Sequence, residues 1–221
     1  MSSLDLAGSE PVVRTRGSQE PQAPLVVLLH GRGATEVDII DLAELLPTGP
    51  AYAAVRAPLA AELGGFAWFA NRGIGRPIAA SLRSTMDWFD GWLAQVAPAG
   101  RSVVLVGFSG GAAFAGGLIL DRPERFAGAA ILFGTLPFDA GLPVTPGRLS
   151  GLPVFVAQGD ADTVIPVELQ RHTWSYLHEE SGADLTAVRH SGGHSLDPGT
   201  LGALNTWIQQ LCRLDRVDIS V

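Results

Sequence analysis

The sequence predicts an α/β fold with a mostly parallel central sheet and helices on both faces. Short apolar runs alternate with helical stretches along the chain, which is the pattern of strands joined by helical crossovers. The run at 25–29 is continuously apolar, as is typical of a parallel strand buried on both faces. Polar and glycine-rich clusters follow several of these runs. Because sites in such sheets lie at the carboxyl ends of the strands, we expect the functional site at that edge.

Periodicity and turn residues set the expected elements in chain order. Strands are expected at 11–16, 25–29, 51–57, 102–106, 125–133, 153–158 and 183–189. Helices are expected at 35–46, about 76–96, directly after 109, at 167–180 and at 201–211. The connection 58–75 has too many aromatic residues for a solvated loop, and 134–151 is rich in Pro and Gly. Both connections are candidates for lining a pocket.

Length and composition limit the class of protein. A chain of 221 residues suits one α/β domain, so 1–221 is expected to be a single domain with peripheral tails at 1–10 and 213–221. Fifteen basic residues, all Arg, stand against 22 acidic ones, and the net charge of -7 argues against nucleic acid or an anionic membrane as partner. The single cysteine excludes an internal disulfide. With no apolar leader and no run long enough for a membrane span, a cytoplasmic location is expected.

The stretch Gly107-Phe108-Ser109-Gly110-Gly111 has the pattern of a nucleophile elbow. An apolar strand runs into it and a small-residue helix leaves it, so Ser109 would stand at a sharp turn above the sheet. Glycines two residues to either side leave room for that turn. The alternative is a glycine-rich strand-to-helix loop that holds a serine by chance, because G-x-S-x-G is a short motif.

A serine nucleophile needs a base and an acid that orients the base. Of the five histidines, His194 follows the last strand in a Gly-Gly-His turn and is preferred over His190. His30 more simply shapes the loop after its strand, and His172 and His178 fall on a predicted helix. Asp160 and Asp162 both follow the strand at 153–158, and the residues alone leave open which of them pairs with the base and which caps the next helix.

Two backbone N–H groups are expected to bind the oxyanion of the tetrahedral intermediate. One belongs to Gly110, directly after the nucleophile, and the other to Arg32 in the loop after the strand at 25–29. A competing pattern, Asp160-Ala161-Asp162-Thr163, is similar to the signature of haloacid dehalogenase-type phosphatases. It comes late in the chain, and the lysine that such sites normally use is absent. The sequence contains no motif that calls for a metal, nucleotide or other cofactor.

Together these motifs resemble the phospholipase/carboxylesterase family of α/β-hydrolases, which includes acyl-protein thioesterases. The resemblance covers about 24–212 and is carried by His30-Gly31-Arg32-Gly33-Ala34, Trp68-Phe69, the elbow, Leu136-Pro137, Gly159 to Pro166 and Gly193-His194. It implies a domain with little or no lid, and it makes Asp162, before Thr163-Val164-Ile165-Pro166, the acid of a Ser109, Asp162, His194 triad. It also implies small ester substrates and a possible homodimer.

The resulting prediction is a serine carboxylesterase for short- to medium-chain acyl esters. Thioesterase or lysophospholipase activity on the same triad is one alternative, and a non-catalytic protein that binds a small ligand is another. The expected pocket residues are Phe66, Trp68, Phe69, Leu136, Phe138 and Ile165. Arg32 and Gly110 depart from the family, which usually has an apolar residue and Gln at these positions. The Arg32 side chain either selects an acidic ester or forms a structural ion pair.

Overall fold

The structure, a computed structural model, describes Leu6 and residues 9–217, with side chains to Arg213. The tails expected at 1–10 and 213–221 therefore lie partly outside the described residues. In the described part, the Trp88 indole donates a hydrogen bond to the carbonyl of Ser9 at 2.7 Å. The last helix continues to Val217.

The described residues contain eleven strands and five α-helices. The strands are β1 (Val13–Gly17), β2 (Leu25–Leu29), β3 (Ala51–Val55), β4 (Leu59–Ala60), β5 (Phe66–Ala67), β6 (Asn71–Gly73), β7 (Arg76–Pro77), β8 (Val103–Phe108), β9 (Gly128–Leu132), β10 (Pro153–Gly159) and β11 (Asp184–His190). The helices are α1 (Glu36–Ile40), α2 (Ala79–Val96), α3 (Gly110–Asp121), α4 (Val167–Ser175) and α5 (Pro198–Val217).

Seven strands form the central sheet in the order β1-β3-β2-β8-β9-β10-β11. Strand β1 pairs with β3 in the antiparallel direction, and the other six strands run parallel to one another. The predicted single-domain α/β fold is confirmed. Since the parallel strands end at one edge, the loops after β2, β8, β10 and β11 meet there.

Two hydrophobic cores cover the two faces of the sheet. Successive side chains of β2 point to opposite faces of the sheet. Val27 belongs to the core beneath α2 and α3, whereas Val26 and Leu28 belong to the core beneath α1 and α5. Phe114 of α3 is fully buried in the first core, and Trp207 of α5 is 5% exposed in the second. Both faces are thus covered, as the continuously apolar strands predict.

The connection 58–75 is more regular than expected. It forms one small antiparallel ribbon, β4 with β5, and half of a second, in which β6 pairs with β7 just beyond it. Because Arg76 and Pro77 pair with β6, α2 begins at Ala79 rather than at about 76. The stretches 35–46 and 167–180 are each helical in two parts, since α1 is followed by a 3-10 helix at Asp41–Leu45 and α4 by a π-helical turn at Tyr176–Glu180.

Candidate active site

Ser109 lies at a strained turn between β8 and α3. Its φ of 54° and ψ of -112° fall outside the regions that a non-glycine residue ordinarily occupies. The Ser109 N–H donates to the carbonyl of Leu132 at 2.9 Å, and the Ser109 carbonyl accepts from the N–H groups of Ala112 and Ala113. A strained turn of this kind holds a serine hydroxyl above the carboxyl edge of a sheet.

Two glycines allow the helix to begin so close to the strands. A Cβ on Gly111 would overlap the carbonyl oxygen of Leu29, and a Cβ on Gly107 would overlap the carbonyl oxygen of Gly111. Glycine is therefore needed at both positions, because α3 packs too closely on β2 and β8 to leave room for a side chain. This geometry is that of an elbow and differs from that of a loosely packed glycine-rich loop.

His194 and Asp162 are joined by a hydrogen bond. The distance from His194 Nδ1 to Asp162 Oδ2 is 2.8 Å. Since a carboxylate only accepts, Nδ1 carries the proton, and in the neutral imidazole Nε2 is the acceptor. Asp162 Oδ1 accepts from the N–H groups of Val164 and Ile165 at 2.8 and 3.1 Å, and the Asp162 side chain is 2% exposed. The imidazole, which lies edge-on to the ring of Phe108, is thus oriented by a carboxylate that is itself fixed.

Asp160 and His190 have different partners. Asp160 has a side chain that is 51% exposed and pairs with Arg189, whose Nε lies 2.9 Å from Asp160 Oδ1. His190 Nδ1 accepts from the N–H of Gly192 at 2.9 Å, and its Nε2 lies 3.1 Å from the carbonyl oxygen of Ser195. Of the two acids and two histidines near these strand ends, the structure brings Asp162 and His194 together.

His30 is held inside the protein by two backbone contacts. Its Nε2 accepts from the N–H of Ala57 at 3.0 Å, and its Nδ1 lies 2.7 Å from the carbonyl oxygen of Gly31. The ring is therefore the neutral tautomer with the proton on Nδ1. Burial lowers the pKa of His30 below its ordinary value, with hydrogen bonding to Gly31 opposing the shift. This histidine fastens the loop after β2 to the end of β3.

The backbone nitrogen of Arg32 lies close to Gly110. A Cβ built on Gly110 would be 3.2 Å from the Arg32 nitrogen. A Cβ on Gly31 would be 3.4 Å from Ser109 Cβ, so the same loop also borders the serine. Within the part of the chain that the structure describes, neither the Arg32 nor the Gly110 N–H donates a hydrogen bond. Two donors of this kind can bind a developing oxyanion.

A cavity of about 420 Å³ opens beside Ser109. His194, Gly110 and Arg32 contribute to its wall. The remaining wall is largely apolar and consists of Gly31, Ala34, Phe69, Asn71, Ile74, Gly75, Phe108, Ala113, Thr135, Val164 and Ile165. The Ser109 hydroxyl makes no hydrogen bond to any of the described residues, so it is available to a ligand. The cavity can hold a small substrate against the serine.

A larger groove, of about 980 Å³, lies at the opposite end of the sheet. Its wall includes Arg101 and Arg125, which donate to the carbonyl groups of Val96 and Ala97 where α2 ends. Cations at the C-terminus of a helix are stabilising, so these two arginines have a structural use. Among the residues that the structure describes, the groove wall includes no histidine or cysteine.

Two of the six expected pocket residues lie in the cavity wall, namely Phe69 and Ile165. The other four do not. Trp68 is buried, donates to the His30 carbonyl at 2.8 Å and stacks on Phe114. Leu136 is fully buried in the core.

Phe66 and Phe138 do not border the cavity. The ring of each contacts a polar side chain instead. The Arg56 guanidinium lies 4.8 Å above the Phe66 ring, and Phe138 stacks on His172 at 3.6 Å. The residues that complete the wall in their place come largely from the β6–β7 ribbon, namely Asn71, Ile74 and Gly75. Their sequence has no periodicity that indicates a pocket. Thr135 and Val164 also belong to the wall.

Within the described ranges, no group of three or more His, Cys, Asp or Glu side chains is placed to hold a metal ion. No helix in the same ranges is long and apolar enough to cross a membrane.

Comparison with known proteins identifies one family. The model of the family described as Phospholipase/Carboxylesterase matches residues 11–212. MhqD of Bacillus subtilis (strain 168), named only as a candidate hydrolase, is 26% identical over 191 residues, which cover 84% of this chain and 92% of MhqD. A protein of Oryza sativa subsp. japonica named as a probable inactive carboxylesterase is 26% identical over 215 residues, 88% of this chain and 87% of that protein. The crystal structure of a Bacillus cereus carboxylesterase superimposes with a TM-score of 0.79 at 22% identity, covering 93% of this chain and 96% of that one.

Proposed function

The chain belongs to the phospholipase/carboxylesterase family of hydrolases, and on that premise we propose that it is a serine carboxylesterase for small acyl esters. The observation that carries the proposal is the hydrogen bond between the buried Asp162 and His194, whose imidazole lines the same cavity as Ser109. A hydrolase of this kind needs an oriented imidazole next to a serine at a strained turn.

In the first half of the reaction, Ser109 Oγ attacks the carbonyl carbon of the ester. His194 Nε2 takes the serine proton, and Asp162 stabilises the imidazolium and keeps its Nδ1–H in place. The tetrahedral oxyanion accepts hydrogen bonds from the N–H groups of Arg32 and Gly110, and removing one such donor typically costs about 3 kcal/mol of transition-state stabilisation. When the intermediate collapses, the alcohol leaves with the proton from His194, and the acyl group remains on Ser109.

In the second half, a water molecule replaces the alcohol. His194 Nε2 accepts a proton from the water as its oxygen attacks the acyl carbonyl, and the same two N–H groups bind the second oxyanion. Collapse breaks the bond to Ser109, returns the proton to its Oγ and releases the carboxylic acid. No cofactor takes part in this scheme.

The size of the cavity supports short- to medium-chain acyl groups. A volume of about 420 Å³ lies at the lower end of the range for small-molecule sites. The connection between β9 and β10, where a long insertion would form a lid, contains one 3-10 turn at Phe138–Ala140 among its described residues. Esters with short acyl chains therefore fit better than long-chain lipids.

One relative, the rice protein, is named as a probable inactive carboxylesterase, so membership of the family is not by itself the argument for catalysis. The presence of Ser109, His194 and Asp162 together favours an active enzyme here, because a protein that merely binds a ligand does not need all three residues. Thioester or lysophospholipid hydrolysis would use the same residues.

Turnover of a graded substrate panel tests the proposal. The panel contains p-nitrophenyl acetate, butyrate, octanoate and palmitate, a matched S-aryl thiobutyrate, and a lysophosphatidylcholine. We expect the highest kcat/KM on an ester of two to about eight acyl carbons. Loss of that activity in Ser109→Ala is the control. Preference for palmitate would contradict the size argument, and a folded wild-type protein without turnover of any panel member would favour the non-catalytic alternative.

A further inference from the structure

Arg32 is an exposed cation without a protein partner at the wall of the cavity. Its side chain forms no ion pair or hydrogen bond with any residue that the structure describes. Its backbone nitrogen lies close to Gly110, and the preceding residue, Gly31, lies close to Ser109. The Arg32 side chain therefore begins beside Gly110, at the wall of the cavity that contains Ser109.

The two acids nearest to Arg32 in the sequence are both bound elsewhere. Glu36 is buried and accepts from Arg56 Nε and Nη2 at 2.6 and 2.7 Å. Asp38 accepts from the N–H and the hydroxyl of Thr35, each at 2.7 Å. These hydrogen bonds, from Arg56 to one carboxylate and from Thr35 to the other, lower the pKa of both groups and hold them ionised in their own contacts. An ion pair between Arg32 and this helix, the structural alternative for its charge, is not formed.

The wall of the cavity has no carboxylate that could neutralise Arg32. Among its described residues, none is an Asp or Glu, and the only other titratable group is His194, which is bonded to Asp162. A ligand with a negatively charged end would therefore supply the partner that Arg32 lacks.

From this arrangement, and resting on the proposed esterase function, we propose that the substrate carries an anionic oxygen group near the ester and that the Arg32 side chain binds it. A carboxylate or a phosphate fits, because a guanidinium makes two parallel, charge-assisted hydrogen bonds to either group. The same residue then has two separate uses. Its backbone N–H binds the oxyanion, and its side chain selects the substrate.

Charged substrates and their neutral counterparts test this assignment. On the alcohol side, 4-acetoxybenzoate and 4-acetoxyphenyl phosphate are compared with neutral 4-acetoxybenzamide. On the acyl side, mono-4-nitrophenyl adipate is compared with methyl 4-nitrophenyl adipate. The readout is the ratio of kcat/KM for the charged substrate to kcat/KM for its neutral partner, measured for the wild type, Arg32→Gln, Arg32→Lys and Arg72→Gln. Arg72 is an exposed arginine outside the cavity wall and controls for the overall loss of charge.

We expect a ratio of about ten or more in the wild type for at least one pair. Arg32→Gln brings that ratio to about one, Arg32→Lys gives an intermediate value because it lacks the planar fork, and Arg72→Gln keeps the wild-type ratio. Which pair responds distinguishes an anion on the acyl side from one on the alcohol side, and the benzoate and phosphate arms distinguish the two anions.

Two results would overturn the inference while leaving the esterase intact. One is wild-type turnover with no preference for the charged member of any pair. The other is an equal loss of activity on charged and neutral substrates in Arg32→Gln, which would assign the guanidinium to the oxyanion instead. Failure of the esterase itself would look different, because no substrate, charged or neutral, would be turned over.

Discussion

Asp162 Oδ2 lies 2.8 Å from His194 Nδ1, whereas Asp160, two residues earlier on the same loop, is half exposed and paired with Arg189. One loop after β10 therefore delivers two acids to different environments. The buried carboxylate is satisfied by three hydrogen bonds, and the exposed one by a surface ion pair. This difference separates the proposed catalytic acid from its neighbour.

Replacing each acid by its amide tests that separation. Asp162→Asn is expected to reduce kcat by about three to four orders of magnitude, because an amide cannot stabilise the imidazolium and favours the wrong tautomer. Asp160→Asn, the matched control, removes only a surface ion pair and is expected to keep kcat within about twofold. Steady-state kinetics on p-nitrophenyl butyrate measure both. A larger loss in Asp160→Asn would reverse the assignment.

The close approach of α3 to the sheet predicts opposite effects for two Gly→Ala substitutions. Gly111→Ala is expected to lower the free energy of unfolding by more than about 3 kcal/mol, since its Cβ has to displace the Leu29 carbonyl. Gly91→Ala, on the exposed side of α2, meets no atom within 4 Å and is expected to raise stability by about 0.5 to 1 kcal/mol. Urea unfolding followed by circular dichroism compares them. Equal stabilities would show that the elbow has more room than its geometry implies.

The cavity wall predicts which phenylalanine controls substrate length. Phe69→Leu enlarges the cavity and is expected to shift the preference towards longer acyl chains, by about fourfold for each additional methylene that becomes buried. Phe138→Leu, which alters a ring stacked on His172 outside the wall, serves as the control and is expected to keep the wild-type profile. The measurement is kcat/KM across p-nitrophenyl esters of two to ten carbons. A shift in Phe138→Leu alone would place the acyl site elsewhere.

The lowered pKa of the buried His30 predicts how the free energy of unfolding depends on pH. Since burial lowers its pKa in the folded state, the unfolded chain binds a proton more readily, and stability falls as the pH drops below about 6.5 towards the lower folded value. His30→Gln loses two buried contacts and is expected to be about 1 to 3 kcal/mol less stable at pH 8. Because Gln does not titrate, the gap between the two proteins narrows at pH 5. Unfolding free energies across this range provide the test, and a gap that widens in acid would contradict it.

The fold and the residues at the strand ends could be predicted from the sequence because they depend on local patterns. Continuous apolar runs indicate buried parallel strands, and a short elbow motif marks Ser109. The choice between Asp160 and Asp162 could not be made from spacing, since both follow one strand and only burial distinguishes them. The family resemblance pointed to Asp162.

The pocket was predictable only in part, because it depends on contacts between distant segments. Trp68 and Phe69 are adjacent in the sequence, yet Trp68 packs inside the core and Phe69 borders the cavity. The ribbon that brings Asn71 and Ile74 to the wall depends on the pairing of two very short strands. Such short pairings leave no clear periodicity in a sequence.

Covalent labelling of Ser109 tests the central claim most directly. A fluorophosphonate reacts with an activated serine, whose oxygen displaces fluoride from phosphorus, and intact mass followed by peptide mapping identifies the modified residue. We expect one adduct, on Ser109, in the wild type, none in Ser109→Ala, and much slower labelling in Asp162→Asn. A folded wild-type protein that stays unlabelled, or that carries the adduct on another serine, would contradict the account.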